Sequence, residues 1–115
     1  MAGTIKRLAG PLALTTTTTV NIYNPASALI YGVIKQIHVD NKTAGAVTFS
    51  LWLGATGGNV AGTELYNLES VAAQTGKDYY FSPGLKLGST DFLVGGASAN
   101  TSLTITVMGE EAVIV

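Results

Sequence analysis

The sequence predicts an all-β, single-domain antiparallel β-sandwich of jelly-roll type, and three observations carry that reading. First, Val47, Phe49, Leu51 and Leu53 alternate with Thr48, Ser50 and Trp52, and Leu103, Ile105 and Val107 alternate with Ser102, Thr104, Thr106 and Met108. A period of two places each set on one face of a strand. Second, Gly, Pro, Asn and Asp punctuate the chain at short intervals. They leave roughly seven to nine short strand candidates, which suits two packed sheets. Third, no stretch carries the apolar repeat of an amphipathic helix.

Bulk properties narrow the function classes. A chain of 115 residues is one domain by length and buries about two thirds of the surface that its unfolded form exposes. Cys is absent, which excludes disulfides, thiolate metal sites and thiol nucleophiles. Six basic residues face seven acidic ones, without the Lys/Arg clustering of a nucleic-acid surface. No apolar run approaches the roughly 18 residues of a membrane span. The N-terminal Met-Ala-Gly-Thr-Ile-Lys-Arg lacks the apolar region of a signal peptide. Neither nucleic acid nor membrane is therefore expected as a partner. Sparse charge with abundant Thr, Gly, Ala and Val fits equally an ordinary β domain with a mild surface and a surface partly covered by other subunits.

The chain divides into an expected N-terminal arm, residues 1–14, and a sandwich domain, residues 15–115. Within the arm, Thr4 to Leu8 reads as a short strand, and Gly10-Pro11 argues against a central position. Such a segment is an edge strand, a frayed end, or an arm that adds a strand to a neighbouring subunit. The five-Thr run 15–19 leads into Val20 and Ile22, predicting a strand over 16–23. After a loop at 24–27, Leu29 to Ile34 is apolar on both faces and leads into the 33–53 stretch. Asp40-Asn41-Lys42-Thr43-Ala44-Gly45 is turn chemistry, so 33–53 reads as a β-hairpin.

Lys35 breaks that pattern, since it shares parity with Val33, Ile37 and Val39. An unpaired buried Lys is too costly. Either a bulge near Lys35 and Gln36 resets the parity and turns Ile34 inward, or the strand becomes one-sided only after Lys35; the bulge is the favoured reading. Gly54 to Asn59 is a Gly-rich loop without the Lys-Ser/Thr of a phosphate loop. Short strands are expected at 63–66, 68–71, 77–81, 85–87 and 90–94. Between them come a turn at 72–76 and a break at Pro83-Gly84. A flexible tip is expected at 95–100, an interruption at Gly109-Glu110-Glu111, and a last turn of strand or a tail at 112–115.

Chemistry-bearing residues are few. His38 shares a face with Asp40, but no third member of a catalytic group is in sight. Asp40, Glu64, Glu69, Asp78 and Asp91 are scattered, with nothing to pair two of them across a cleft. One His, no Cys and no Asp-rich loop predict no metal and no cofactor. The expectation is a protein that is not an enzyme. By parity Trp52 lies opposite the core-facing set. It is a candidate for half-burial, for a subunit anchor, or for a sugar-stacking platform accompanied by Tyr31, Tyr66 or Tyr80.

Several segments in sequence carry a resemblance. They are Val-Ile-Lys-Gln-Ile-His-Val-Asp-Asn-Lys-Thr at 33–43, Phe-Ser-Leu-Trp-Leu-Gly at 49–54 and Glu-Leu-Tyr-Asn-Leu-Glu-Ser-Val-Ala-Ala at 64–73. Tyr-Tyr-Phe-Ser-Pro-Gly-Leu-Lys-Leu at 79–87 and Leu-Thr-Ile-Thr-Val at 103–107 follow. Over about residues 20–108 the chain resembles the small all-β virion proteins encoded among the head and tail genes of tailed bacteriophages. The resemblance implies a structural, non-enzymatic role in a homo-oligomer, a trimer being favoured. Its leading form is a capsid decoration (cement) protein that binds the major capsid protein on the outer face of the assembled head. Such a protein is found in the virion, which is assembled in the bacterial host cytoplasm. Expected interface residues are Lys6, Arg7, Trp52, Glu110 and Glu111, with Lys6 and Arg7 pairing with Glu110 and Glu111. A neck, tail or fibre component, and a carbohydrate-binding sandwich using Trp52 and a Tyr, are the alternatives.

Overall fold

The computed structural model describes residues 4–54 and 58–113. They form eight strands: β1 (Thr4–Ala13), β2 (Asn21–Tyr23), β3 (Ile30–Asn41), β4 (Val47–Gly54), β5 (Glu64–Val71), β6 (Gly76–Leu87), β7 (Phe92–Ala97) and β8 (Leu103–Val113). The described residues contain no helix. A long sheet has the order β1-β8-β3-β6 and a short sheet the order β2-β7-β4-β5. All pairs are antiparallel, and the first strand pairs with the last, the second with the seventh, the third with the sixth and the fourth with the fifth. That nesting is a folded-back ribbon wound into two sheets, the eight-stranded jelly roll. The predicted fold class is the observed one.

The two sheets close on one core. Ile34, Ile37, Val39, Leu87, Leu103, Ile105 and Val107 point inward from the long sheet, and Val47, Phe49, Leu51, Val71 and Leu93 from the short one. Burying each such side chain contributes about 1.5–3 kcal/mol. The predicted bulge is present. The register of β3 against both β6 and β8 shifts between Ile34 and Gln36. Ile34 is buried, while Lys35 is exposed and donates from Nζ to the Pro83 carbonyl at 2.8 Å. On the partner strand, Tyr80 pairs with Gln36 and Leu85 with Ile34, so residues 81–84 bow out opposite the bulge. Pro83-Gly84 therefore distorts β6 without ending it.

Five further expectations need correction. The 33–53 stretch is not a hairpin: β3 lies in the long sheet and β4 in the short one. The polar segment between them crosses from one sheet to the other. Asn41 is 1% exposed and pins this crossing. Its Nδ2 donates to the carbonyls of Gly45 at 2.9 Å, Val71 at 3.0 Å and Ala72 at 3.3 Å. Its Oδ1 accepts from the Thr43 backbone N–H at 2.9 Å and hydroxyl at 2.7 Å. Two one-faced strands look the same in sequence whether they lie side by side or face each other across a core.

The Thr run is the second correction. Only Asn21–Tyr23 is strand, because residues 14–20 carry the chain between the sheets, with the Thr15 carbonyl accepting from Ala97 N–H at 2.8 Å. Third, the expected tip at 95–100 begins with Gly95, Gly96 and Ala97, which are the buried end of β7. Fourth, Gly109-Glu110-Glu111 does not interrupt β8, which runs on to Val113. Fifth, the pieces 63–66 and 68–71 are the single strand β5, irregular at Leu68, where φ is 52°. The segment read as an arm supplies β1, an edge strand paired with β8 from Thr4 to Ala13. The middle of the Gly-rich loop (55–57) and the last two residues (114–115) lie outside the described residues.

Candidate functional site

A two-sheet sandwich has two open sides, and polar clusters tie each of them. At one side Lys6 Nζ of β1 meets Glu111 Oε1 of β8 at 2.9 Å, and Tyr23 of β2 donates its hydroxyl to Glu111 Oε2 at 2.6 Å. The carboxylate thus joins both sheets. The Tyr23 and Lys6 bonds hold its pKa below the usual range, and burial beside the carboxylate pushes the Tyr23 phenol up. At the other side Tyr66 of β5 and Tyr79 of β6 pack with ring centroids 4.7 Å apart, both edge-on to Phe49. Glu69 accepts from Lys77 at 2.9 Å and from the Tyr79 hydroxyl at 3.0 Å. Its pKa is lowered, by the Lys77 bond first and the Tyr79 bond second.

Both carboxylates make stability depend on pH. Their folded values lie below their unfolded ones, about 4.3 for Glu. The stability they contribute is present above that range and is lost as pH falls through the folded values. Denaturant midpoints measured from pH 7 down to pH 3 are expected to drop. The drop should be smaller in a Glu69→Gln, Glu111→Gln double variant, and an equal drop in both proteins would refute the assignment.

The remaining chemistry lies on the outward face of the long sheet. His38 of β3 sits opposite Asp78 of β6, and its Nδ1 is 2.7 Å from Asp78 Oδ1. Gln36 donates to the same oxygen at 2.8 Å. The His38 and Gln36 bonds hold the Asp78 carboxyl below the usual range. The partner of His38 is therefore Asp78 from the facing strand, and not Asp40 two residues along. The described residues contain no cluster of three His, Cys, Asp or Glu able to hold a metal. Tyr80, level with Gln36, is 73% exposed.

Beside this row the face sinks into a groove of about 320 Å³ lined by Ile5, Lys35, Gln36, Met108, Gly109 and Glu110. Its origin is local. The bulge carries Lys35 to the rim, where the Pro83 carbonyl holds its Nζ. Ile5 pairs with Glu110 and Arg7 with Met108 along β1 and β8.

The structure distributes the expected interface residues unevenly. Lys6 and Glu111 form an ion pair within one chain, at the sandwich edge, where a pair with a neighbour was expected. Glu110 lines the groove, and Arg7 lies beside it, level with Met108. Neither has an ion-pair partner among the described residues. Trp52 is distant in the fold, half-buried on β4 between Glu64 of β5 and Val94 of β7. The open aromatic is Tyr80. Sequence reasoning missed Ile5 and Met108 and named Tyr80 only as a companion of Trp52, although a large apolar residue between Thr4 and Lys6 on an edge strand was a usable signal for Ile5.

The fold and its surface define a jelly-roll domain whose distinctive exposed feature is a dented, mixed-charge sheet face. No protein-family model matches the chain, and no curated protein matches it. Among solved structures it is similar to one described as the structure of infectious bursal disease virus Gx strain, with 8% identity and a TM-score of 0.45. The similarity covers 96% of this chain and 30% of that one, so the chain spans less than a third of its length.

Proposed function

We propose that this chain is a non-catalytic structural protein of a virion, in its most specific form a decoration protein on the outer surface of a phage head. The observation that carries the reading is the nested strand order of the jelly roll, an architecture of capsid and lectin domains. The sparse charge and the sequence resemblance to small phage virion proteins over residues 20–108 support it further. The partners are the major capsid protein and further copies of the chain. Binding the assembled lattice and not dispersed subunits stabilises the shell by mass action, by about 2.7 kcal/mol per site at a hundredfold excess over Kd.

The test is the copy number per purified virion, measured by quantitative mass spectrometry against the major capsid protein. A number commensurate with the head lattice is expected. A handful of copies would move the protein to the neck, tail or fibres, and none would discard the reading. Heads stripped of the protein should lose their contents at a lower temperature and regain resistance when it is added back.

A further inference from the structure

We propose that two copies of this chain associate about a two-fold axis through the outward faces of their long sheets, Ile5 of each copy seating in the groove of the other. The pairing needs no capsid and stands independently of the virion reading.

The first argument is shape. Ile5 is 79% exposed, yet it is held in a regularly paired stretch of β1. An exposed Ile fixed in place beside an apolar dent is a knob next to a hole. The hole is lined by residues of central strands β3 and β8 where their register shifts at the bulge. Bulges of this kind re-aim side chains and are retained as features of a site. Because knob and hole share one patch, the patch is complementary to itself under a two-fold rotation. A ring of three needs two different patches.

The second argument is charge. Arg7 and Lys35 stand against Glu110 and Asp78 on this face, so the two copies do not repel each other. The Pro83 carbonyl fixes the Lys35 ammonium at the rim. The two-fold brings Lys35 of one copy towards Glu110 of the other, and such complementarity fixes the register of association.

The third argument is area. Four strands spaced about 4.8 Å apart and about 40 Å long present roughly 700 Å² on one face. A standard stable interface uses about 800 Å² per partner, so the face is close to the required size. Tyr80, at the far edge of the same face, adds an aromatic anchor of the type enriched at interfaces.

Sedimentation equilibrium and light scattering on the full chain over a wide concentration range test the proposal. The expected mass is twice 11.8 kDa. Ile5→Lys should weaken the dimer roughly a hundredfold or more, since both knobs are lost together. Tyr80→Ala should weaken it about tenfold. Circular dichroism should show both variants folded, since both side chains are exposed. Glu110→Lys should weaken association about tenfold, and adding Lys35→Glu should restore it. A monomer at every concentration overturns the proposal, as does a dimer indifferent to Ile5→Lys or a charge swap without recovery. A monomer that loses virion attachment on Ile5→Lys also overturns it, and gives the face to the capsid protein.

Discussion

Gly109→Ala is expected to destabilise the protein by roughly 3 kcal/mol or more, at the upper end of overpacking effects. That corresponds to a fall in Tm on the order of 10–20 °C. Gly109 lies in β8 between two hydrogen-bonded neighbours, opposite Lys6 of β1 and Ile34 of β3. An added Cβ would fall on the Val33 carbonyl oxygen and come within 2.9 Å of Leu8 Cδ1. The obstacle is backbone in a central strand. It moves only if the ladders on both sides give way, or if the bulge that makes the groove is undone. Gly45→Ala is the control: a Cβ there meets nothing within 4 Å, and its effect should stay within about 0.5 kcal/mol. Denaturant midpoints of the two variants decide the matter. A Gly109→Ala protein within about 1 kcal/mol of the parent would mean that the dented face is soft, and would weaken the case for it as a preformed socket.

Parity and cost carried the sequence reading a long way. The alternation over 103–107 gives three fully buried side chains in β8, and the misfit of Lys35 gives the bulge at its actual position. Period two says which face a residue occupies but not which strand lies beside it. That is why β3 and β4 read as a hairpin when they face each other across the core. Glycines misled for a related reason. Gly95, Gly96 and Gly109 look like loop punctuation, yet they sit inside strands where backbone or side chains approach too closely for a Cβ. The candidate face was half legible. Lys35 stood out as a charge out of pattern and Glu110 as an expected interface residue, whereas the groove needs Ile5 and Met108 from strands at opposite ends of the chain. Lys6 and Glu111 were read as interface partners from their charges alone, and the pairing of the first strand with the last brings them together within one chain.

Asn41→Ala is expected to cost about 2–4 kcal/mol, because it removes the side-chain bonds to the Val71 and Ala72 carbonyls and to the Thr43 N–H at a part-buried crossing, leaving the Gly45 carbonyl only the Thr43 hydroxyl. No larger apolar residue repairs this, since the groups to be satisfied belong to the backbone. Asn41→Asp separates the donor role from the acceptor role. It keeps an oxygen for Thr43 but turns the second oxygen towards carbonyls that require a donor. A buried carboxyl among acceptors has its pKa raised, and protonation supplies the missing O–H. The sign follows: the Asp variant should be closest to the parent at acid pH, below the ordinary carboxylate range. It should lose stability as pH rises through the raised folded value, opposite in direction to the effect of Glu69 and Glu111. Unfolding midpoints of the parent, Asn41→Ala and Asn41→Asp at pH 4 and pH 8 test this. An Asp variant as stable as the parent at both pH values would show that Asn41 acts through its acceptor oxygen alone. The crossing that carries β3 into the opposite sheet would then rest on the Asn41–Thr43 turn and not on the bonds to Val71 and Gly45.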